Sequence, residues 1–529
     1  MRRPLILNGF MATGKSTVGA LVARAAGRPF IDLDKVVEAE AGASVESLFA
    51  TQGEAKFRGL ERACLTKVLD DAKSAAQAPV IAVGGGALMA RDLRLRALDE
   101  CVVVTLEGSP AELTRRALAQ GVRPLLSGPN PELRVTELLA LRATSYAEAQ
   151  ARVPAEGAVE SVAASVHAIW RRDEVAVAAG EASYGVQIGS DFAAARLGSL
   201  VAQSPVCVLV SDRTVAALHA ASMEQALAHA DARVIRVDFE PGEAHKNIAS
   251  VESVWRAALV GSADRKATFV ALGGGVVTDM TGFAASTYMR GVRWVGIPTT
   301  LLAMVDASVG GKTGVDLESA KNAVGAFWQP SAVLCDVRYL GTEPARGFVS
   351  ALAEVVKTAL IGDPELFTLL EANAERVVAR DLELTAEIVR RCVRVKARIV
   401  SFDERESGLR AVLNLGHTVG HALEAQAGYT ALSHGEAVSL GLVAALRLGE
   451  ALGRTPRELR ERTLELLTRL GLPASLSGQP LSEAANLIGH DKKRAGNAVR
   501  FVFARGVGDV ETLAIPLSEL RTHVIALAD

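Results

Sequence analysis

The hydrophobic pattern changes period repeatedly along the chain, and those changes mark its organisation. Leu5-Ile6-Leu7 is a short apolar run that enters a glycine loop; residues 17–26 then carry apolar positions at helical spacing, and Pro29-Phe30-Ile31 is extended again. This alternation continues to about residue 155 and predicts a parallel sheet covered by helices. Val159, Val162, Val166, Ile169 and Trp170 recur at helical spacing ahead of Arg171-Arg172, which reads as a closing helix with cations at its C-terminal end. Directly afterwards Val175 and Val177, a turn at 180–183, and Tyr184, Val186 and Ile188 alternate at period two. That hairpin predicts a second module starting at residue 173 with almost no linker.

Residues 205–340 again mix strands, at 206–210, 234–237, 268–272 and 294–297, with helical stretches and many glycines. From about 345 the strand signal fades: 347–361, 364–402, 409–426, 434–453 and 457–471 are helix-patterned, and only 499–503 reads as a late strand. The expected fold class is α/β. It comprises a parallel-sheet domain over 1–172, a second α/β part over 173–340 and a mostly α-helical part over 341–529. No internal repeat or low-complexity tract interrupts this order.

Composition narrows the function classes. The 529 residues, 49% hydrophobic and 22% charged, suit several compact units and not a disordered chain. Lys plus Arg number 58 against 60 Asp plus Glu, so the net charge of −2 offers no global surface for nucleic acid or an anionic membrane; any anion is bound locally. Apolar runs break within about ten residues, short of the roughly 20 that span a bilayer, and no signal-peptide core follows Met1-Arg2-Arg3, so a cytoplasmic location is expected. The five cysteines, Cys64, Cys101, Cys207, Cys335 and Cys392, never stand in CxxC spacing and are expected to pack as small buried hydrophobes.

Gly9-Phe10-Met11-Ala12-Thr13-Gly14-Lys15-Ser16 matches the GxxxxGK[ST] phosphate loop in its required context between a strand and a helix. Backbone N–H groups from Gly9 through Thr17 favour phosphate oxygens, Lys15 reaches the outer phosphates and the Ser16 hydroxyl suits Mg²⁺. At the end of the next strand, alternation would point Asp32 and Asp34 to one face, one to orient Mg²⁺ water and the other to accept a hydroxyl proton; the alternative is that they cap the following helix. Further on stand Phe57-Arg58, Gly84-Gly85-Gly86, Arg123-Pro124-Leu125-Leu126, and Arg142 four residues before Tyr146.

Together these motifs resemble shikimate kinase over roughly residues 3–172. The resemblance implies an ATP·Mg²⁺ phosphotransferase acting on shikimate. In it Asp32 and Ser16 serve magnesium, Asp34 serves the substrate hydroxyls, and Arg58 and Arg142 pair with the shikimate carboxylate. Gly84, Gly85 and Gly86 let backbone approach the ring, and the lid arginine Arg123 covers the ATP phosphates. Ala12 stands where the family usually has glycine, and its methyl is expected to be tolerated through a negative φ.

In the second module a strand runs into Gly273-Gly274-Gly275-Val276-Val277-Thr278-Asp279, three glycines at a strand end opening a helix, which permits close approach of a pyrophosphate. Glu354 and Lys357 lie three apart on an expected helix, His417 and His421 lie four apart, and His434 follows. A His/His/Glu set with an open position is the usual arrangement of catalytic Zn²⁺, although two helical histidines alone do not settle a metal.

Over residues 173–510 the text resembles 3-dehydroquinate synthase. The carriers are PGEAHK at 241–246, GGGVVTDM at 273–280, Pro298-Thr299-Thr300, the run from Val305-Asp306 through Lys312, Lys321-Asn322, AEVVK at 353–357, DER at 403–405, NLGHT at 414–418, His434-Gly435-Glu436 and Asp491-Lys492-Lys493. The resemblance implies NAD⁺ and Zn²⁺ or Co²⁺ as cofactors, with Glu354, His417 and His434 as metal ligands and His421 as a neighbouring proton relay. Glu243, Lys246, Gly274, Gly275, Val276, Asp279, Thr299, Thr300, Lys312 and Lys321 would line the dinucleotide. Asp306, Lys312, Asn322, Lys357, Lys396, Arg410, Asn414, His421 and one of Lys492 or Lys493 would surround the substrate. That substrate, 3-deoxy-arabino-heptulosonate 7-phosphate, is oxidised at a ring hydroxyl, loses phosphate, regains its hydride and closes to 3-dehydroquinate.

The expected protein is therefore a bifunctional enzyme of aromatic biosynthesis with small-molecule partners and no nucleic acid or membrane partner, leaving a homodimer through the synthase half open. The competing readings are a kinase half reduced to nucleotide sensing and a second half acting as a related sugar-phosphate cyclase.

Overall fold

A computed structural model describes residues 3–119, 130–318, 320–406, 408–428, 431–488, 494–495 and 498–528. The chain divides into two compact units, the first ending at Gln187 and the second starting at Ile188.

The first unit is built on five parallel strands: β1 (Leu5–Gly9), β2 (Phe30–Asp32), β3 (Val80–Ala82), β4 (Val102–Glu107) and β5 (Ala151–Pro154), in the order β2-β3-β1-β4-β5. Strand alternation divides its core. Leu5 and Leu7 pack with Val18 and Val22 of helix Lys15–Ala26 and with Val162, Val166 and Trp170 of helix Val159–Arg172. Ile6 faces the other side, with Leu33, Val37, Leu65 and Leu69. Both faces are covered, as an all-parallel sheet requires. The central strand β1 delivers the glycine loop to the carboxyl edge of the sheet, where such folds bind ligands.

The compact unit extends beyond the boundary expected at 172/173. Arg3 donates to the Asp173 carboxylate at 2.7 Å and to the Glu174 carbonyl at 2.7 Å, and Ala176 and Ala178 join the first unit's core. The hairpin itself is present: β6 (Val175–Val177) pairs antiparallel with β7 (Tyr184–Gly189).

In the second unit, β8 (Val206–Asp212), β9 (Arg233–Phe239), β10 (Thr268–Gly273) and β11 (Arg293–Pro298) are parallel, with β10 between β11 and β8 and β9 outside β8. Phe269 and Ala271 face one helical layer, Val270 and Leu272 the other. An antiparallel hairpin, β12 (Lys312–Leu317) and β13 (Ala320–Phe327), follows, and then β14 (Ala332–Asp336) pairs parallel with β11.

The helical part contains helices Ala345–Gly362, Pro364–Val378, Leu382–Phe402, His417–Gln426, His434–Ala451 and Arg457–Arg469. The expected helix over 364–402 is two helices, broken where Arg380 adopts φ 58° and the Asp381 side chain caps the second. Likewise 409–426 is a short 3₁₀ turn, Leu409–Asn414, then left-handed Gly416, then a helix. The lone late strand is in fact a three-stranded antiparallel sheet of β15 (Arg494–Ala495), β16 (Ala498–Gly506) and β17 (Asp509–Pro516). All five cysteines are buried and free, as expected. Among the described residues no helix is long and apolar enough to cross a membrane.

Two candidate active sites

In the first unit Gly14 opens helix Lys15–Ala26 from the left-handed region at φ 86°, which turns successive backbone N–H groups toward one point. The Lys15 ammonium donates to the carbonyls of Gly9 and Phe10 at 2.9 and 2.8 Å, and Thr13 Oγ1 donates to Phe10 at 2.9 Å. Ala12 sits at φ 62°, so its methyl is not accommodated by a negative φ as expected. An L-residue there carries about 1–2 kcal/mol of strain.

Asp32 caps the following helix, as one reading of the DxD pair has it: its Oδ1 accepts the Asp34 N–H at 3.1 Å at the start of helix Leu33–Ala41, while its Oδ2 accepts from Ser16 Oγ at 2.6 Å. Asp34 is therefore on the first helical turn, not alternating along the strand. Its carboxylate lies against the glycine triplet, because a Cβ built on Gly84 would stand 3.2 Å from Asp34 Oδ1.

The glycine triplet lies against charged side chains. A Cβ on Gly84 would fall 2.3 Å from Glu61 Oε1, and one on Gly86 would fall 2.5 Å from the Arg58 guanidinium carbon. Arg58 Nη1 donates to Glu61 Oε2 at 2.6 Å, and Arg142 Nη1 and Tyr146 Oη both donate to the Gly85 carbonyl, at 3.0 and 2.6 Å. Arg142 is buried over the Phe10 ring. Two guanidinium groups, two carboxylates and bare backbone thus surround one space beside the phosphate loop, a set suited to a small polyhydroxy acid. Sequence reasoning missed Glu61. Burial raises its carboxyl above the usual range against the pull of Arg58, and its spacing of three from Arg58 on one helix was the available signal. Arg123 lies outside the described residues.

In the second unit the glycines after β10 meet two other segments. A Cβ on Gly274 would stand 3.3 Å from Thr300 Cγ2, and one on Gly275 3.3 Å from Ala307 Cβ, while the Thr299 N–H donates to the Gly273 carbonyl at 3.0 Å. The crevice at the carboxyl ends of β10 and β11 thus joins Gly274, Gly275, Val276, Thr299 and Thr300 to the short helical turn Ala303–Ala307 that bears Asp306. The buried Lys246 ammonium bridges Asp279 Oδ2 at 2.7 Å and Asn322 Oδ1 at 2.6 Å, beside the 3₁₀ turn that starts at Glu243. Burial outweighs that lysine and pushes the Asp279 carboxyl up to about 6.

Glu354, on helix Ala345–Gly362, is fully buried, with Oε1 3.3 Å from His417 Nε2 and 3.3 Å from His434 Nε2; its Oε2 pairs with Lys357. The three ligand atoms lie within 4.8 Å of one another. The His421 ring centroid is 5.0 Å from that of His417 and 5.9 Å from that of His434. Burial would raise the Glu354 carboxyl, yet Lys357 and His417 hold it well below its usual range. Burial and Lys357 bring His417 down to about 4, whereas Glu354 and Glu424 overcome burial and bring His434 up to about 10.

Lys396, from helix Leu382–Phe402, donates to Asp306 Oδ1 at 2.6 Å; burial opposes ionisation of Asp306, but Lys396 and Lys357 hold it at about 2. Arg410 is buried with Nη1 on the Glu404 carbonyl at 2.6 Å, while the Asp403 carboxylate accepts its backbone N–H at 3.0 Å. Lys312 pairs with Glu406, and Asn414 ends the 3₁₀ turn three residues before His417. Neighbours Lys321 and Asn322 diverge: Asn322 lies with Lys246, which also holds Asp279, whereas Lys321 meets Glu424 at 3.0 Å beside the histidines. Glu424 is a further residue that sequence reasoning missed, although its spacing of seven from His417 places both on one helical face. Lys492 and Lys493 lie outside the described residues.

Buried Lys246, Lys357, Lys396, Arg410 and Glu354 are costly to desolvate, and an apolar core would be at least as stable without them. The one carboxylate and two imidazoles of Glu354, His417 and His434 form a donor set of the kind that suits a divalent cation.

Comparison with known proteins finds families that match both parts of the chain. A family model described as shikimate kinase matches residues 11–171. Models described as 3-dehydroquinate synthase N-terminal and 3-dehydroquinate synthase C-terminal match 236–350 and 351–494. The chain is 43% identical over 339 residues to a 3-dehydroquinate synthase of Citrifermentans bemidjiense, covering 64% of this chain and 93% of that protein. It is 46% identical over 330 residues to one of Halorhodospira halophila, covering 62% and 92%. Among solved structures, 2-epi-5-epi-valiolone synthase from Streptomyces hygroscopicus subsp. jinggangensis, with NAD⁺ and Zn²⁺ bound, aligns at TM-score 0.60 and 29% identity over 65% of this chain and 96% of its own.

Proposed function

This chain belongs to the 3-dehydroquinate synthase family, with a shikimate kinase domain ahead of the synthase. We propose on that footing that each site described above carries its own reaction. The first unit phosphorylates shikimate with ATP·Mg²⁺, and the second converts 3-deoxy-arabino-heptulosonate 7-phosphate to 3-dehydroquinate and phosphate.

At the kinase site the phosphate loop and Lys15 hold the ATP phosphates, and Ser16 with Asp32 holds Mg²⁺. Arg58 and Arg142 anchor the acceptor's carboxylate and Asp34 receives its hydroxyl proton, so catalysis is chiefly alignment and charge compensation.

At the synthase site the observation that carries the reading is the convergence of Glu354, His417 and His434 beside Lys357 and the Asp306–Lys396 pair. The donor set, one carboxylate and two imidazoles, fits Zn²⁺ or Co²⁺, and the bare glycine turn packed on Thr300 fits a dinucleotide pyrophosphate. When bound, NAD⁺ supplies a hydride acceptor that is restored within each turnover, and the metal supplies a Lewis acid at the substrate's oxygen. Lys357 and Lys396 orient the ring and its carboxylate, Arg410 and Lys312 compensate the charge of the departing phosphate, Asn322 and Asn414 fix hydroxyls, and His421 moves a proton between the ring oxygen and solvent. With this reading we propose a cytoplasmic location.

Purified full-length protein should form shikimate 3-phosphate from shikimate and ATP. It should also release phosphate and form 3-dehydroquinate from the heptulosonate phosphate without net NADH. Absence of either product from folded protein would remove that half of the assignment.

A further inference from the structure

Glu424 is buried, and its carboxylate stands between Lys321 and His434. Oε1 meets the Lys321 ammonium of β13 at 3.0 Å, and Oε2 faces His434 Nδ1 at 3.5 Å. The same imidazole presents Nε2 to Glu354 Oε1 at 3.3 Å, which in turn is 3.3 Å from His417 Nε2. The His434 ring therefore has one nitrogen turned into the convergent set and the other turned to Glu424. A carboxylate that holds Nδ1–H fixes the tautomer with its lone pair on Nε2 and stops the ring from rotating away.

We propose that Glu424 is a positioning residue that locks His434 as an Nε2 ligand of the synthase metal, itself held in place by Lys321. The inference rests on reading Glu354, His417 and His434 as the metal-holding set. A rival geometry exists, because ligand atoms of His421, Glu424 and His434 also lie within 4.8 Å of one another. Glu354 faces both His417 and His434, whereas Glu424 faces His434 with its other oxygen on Lys321, and the Glu424 variants below separate the two geometries. Lys321 adjoins Asn322, whose Oδ1 accepts from the Lys246 ammonium that also holds Asp279, so the hairpin that meets this pair also steadies His434 through Glu424.

The test is zinc affinity of full-length protein, measured by competition with a chromophoric chelator without substrate. Glu424→Ala should weaken zinc about 10–100-fold, the usual effect of losing a carboxylate behind a ligating histidine. Glu424→Gln keeps an acceptor oxygen for Nδ1–H, and half-exposed Lys321 can turn its ammonium to water, so this variant should stay within about threefold of wild type. Co²⁺-loaded Glu424→Ala should also show an altered visible spectrum, because the His434 ring is no longer fixed. Wild-type zinc affinity and an unchanged Co²⁺ spectrum in Glu424→Ala would overturn the proposal. So would Glu424→Gln as weak as Glu424→Ala, which would make the carboxylate a ligand. Glu354→Ala and His417→Ala separate the underlying reading: if neither weakens zinc, the metal-holding set itself is wrong and the proposal falls with it. Should Glu424→Ala fail to fold, Glu424→Leu gives the same comparison with Glu424→Gln.

Discussion

Replacing Gly86 by alanine would add a methyl whose carbon falls 2.5 Å from the Arg58 guanidinium carbon and 2.6 Å from each of its terminal nitrogens. Gly86 is not in the left-handed region, so its backbone accepts a side chain; the collision is with the far end of a flexible arginine, and the guanidinium yields. The displaced group leaves the acceptor pocket without leaving the protein, because Glu61 at 2.6 Å, Glu54 at 3.2 Å and the Phe57 ring still hold it nearby. This makes Gly86→Ala a cleaner probe than Arg58→Ala, which strands the buried Glu61 carboxylate and costs about 3–5 kcal/mol of stability. Truncating one partner of a buried charge-assisted pair costs about 2–5 kcal/mol, and a guanidinium moved but not removed should lose about half of that, about 1–2.5 kcal/mol. The expected result is a shikimate KM raised about 5–70-fold with the ATP KM within twofold and the thermal midpoint within about 3 °C. Steady-state kinetics with each substrate varied in turn, alongside calorimetry, gives all three values. An unchanged shikimate KM in folded Gly86→Ala, or equal rises in both KM values, would refute the placement of Arg58 at the acceptor.

Ala12→Gly should stabilise the kinase unit: relief of about 1–2 kcal/mol at φ 62° exceeds the added freedom of glycine in the unfolded chain, leaving roughly 0.5–1 kcal/mol in the calorimetric transition that ATP shifts. No gain there would place the strain elsewhere. Glu343, whose Oε2 accepts the Leu301 N–H at 3.0 Å, has its carboxyl raised by burial to about 7. A raised folded value means its contribution is full below pH 4.5 and is lost as pH rises through 7, a swing of about 3 kcal/mol. Glu343→Gln should therefore raise the second unit's melting temperature at pH 8.5 and leave it nearly unchanged at pH 5; equal effects at both would contradict the buried-acid account. EDTA followed by desalting and excess Mg²⁺ should abolish cyclisation and spare phosphorylation, because Mg²⁺ arrives with ATP whereas Glu354, His417 and His434 form a protein-held site. Cyclisation that survived complete metal removal would undo the ligand assignment.

What was legible in the sequence was what is local. The phosphate loop, the helical pair Glu354–Lys357 and the histidine spacing each depend on neighbours within one or two turns, so periodicity carries them. The strands with one apolar face per helical layer were legible for the same reason. The hairpin of β12 and β13 was not, because Leu317, Val324 and Phe327 are exposed and β12 has no clean alternation. The break in 364–402 carries neither glycine nor proline: Arg380 takes the left-handed position and Asp381 caps, a solution that leaves no punctuation in the pattern. Asp34 was placed on a strand because the strand's end, at Asp32, is set by a cap that also serves Ser16. Glu61 stands one helical turn from Arg58, so that pairing was legible and only its approach to Gly84 was not, whereas Glu424 stays hidden until β13 brings Lys321 to it.

One measurement bears most directly on the claim that a single chain works two separate sites. Lys15→Ala and His417→Ala, each made in the full-length protein, should be assayed side by side for shikimate phosphorylation and for phosphate release from the heptulosonate phosphate. Lys15→Ala should lose phosphorylation by about a hundredfold or more and keep cyclisation within about twofold, and His417→Ala should show the reverse. If either variant lost both activities while remaining folded, or if neither lost its own, the two-site account would be contradicted.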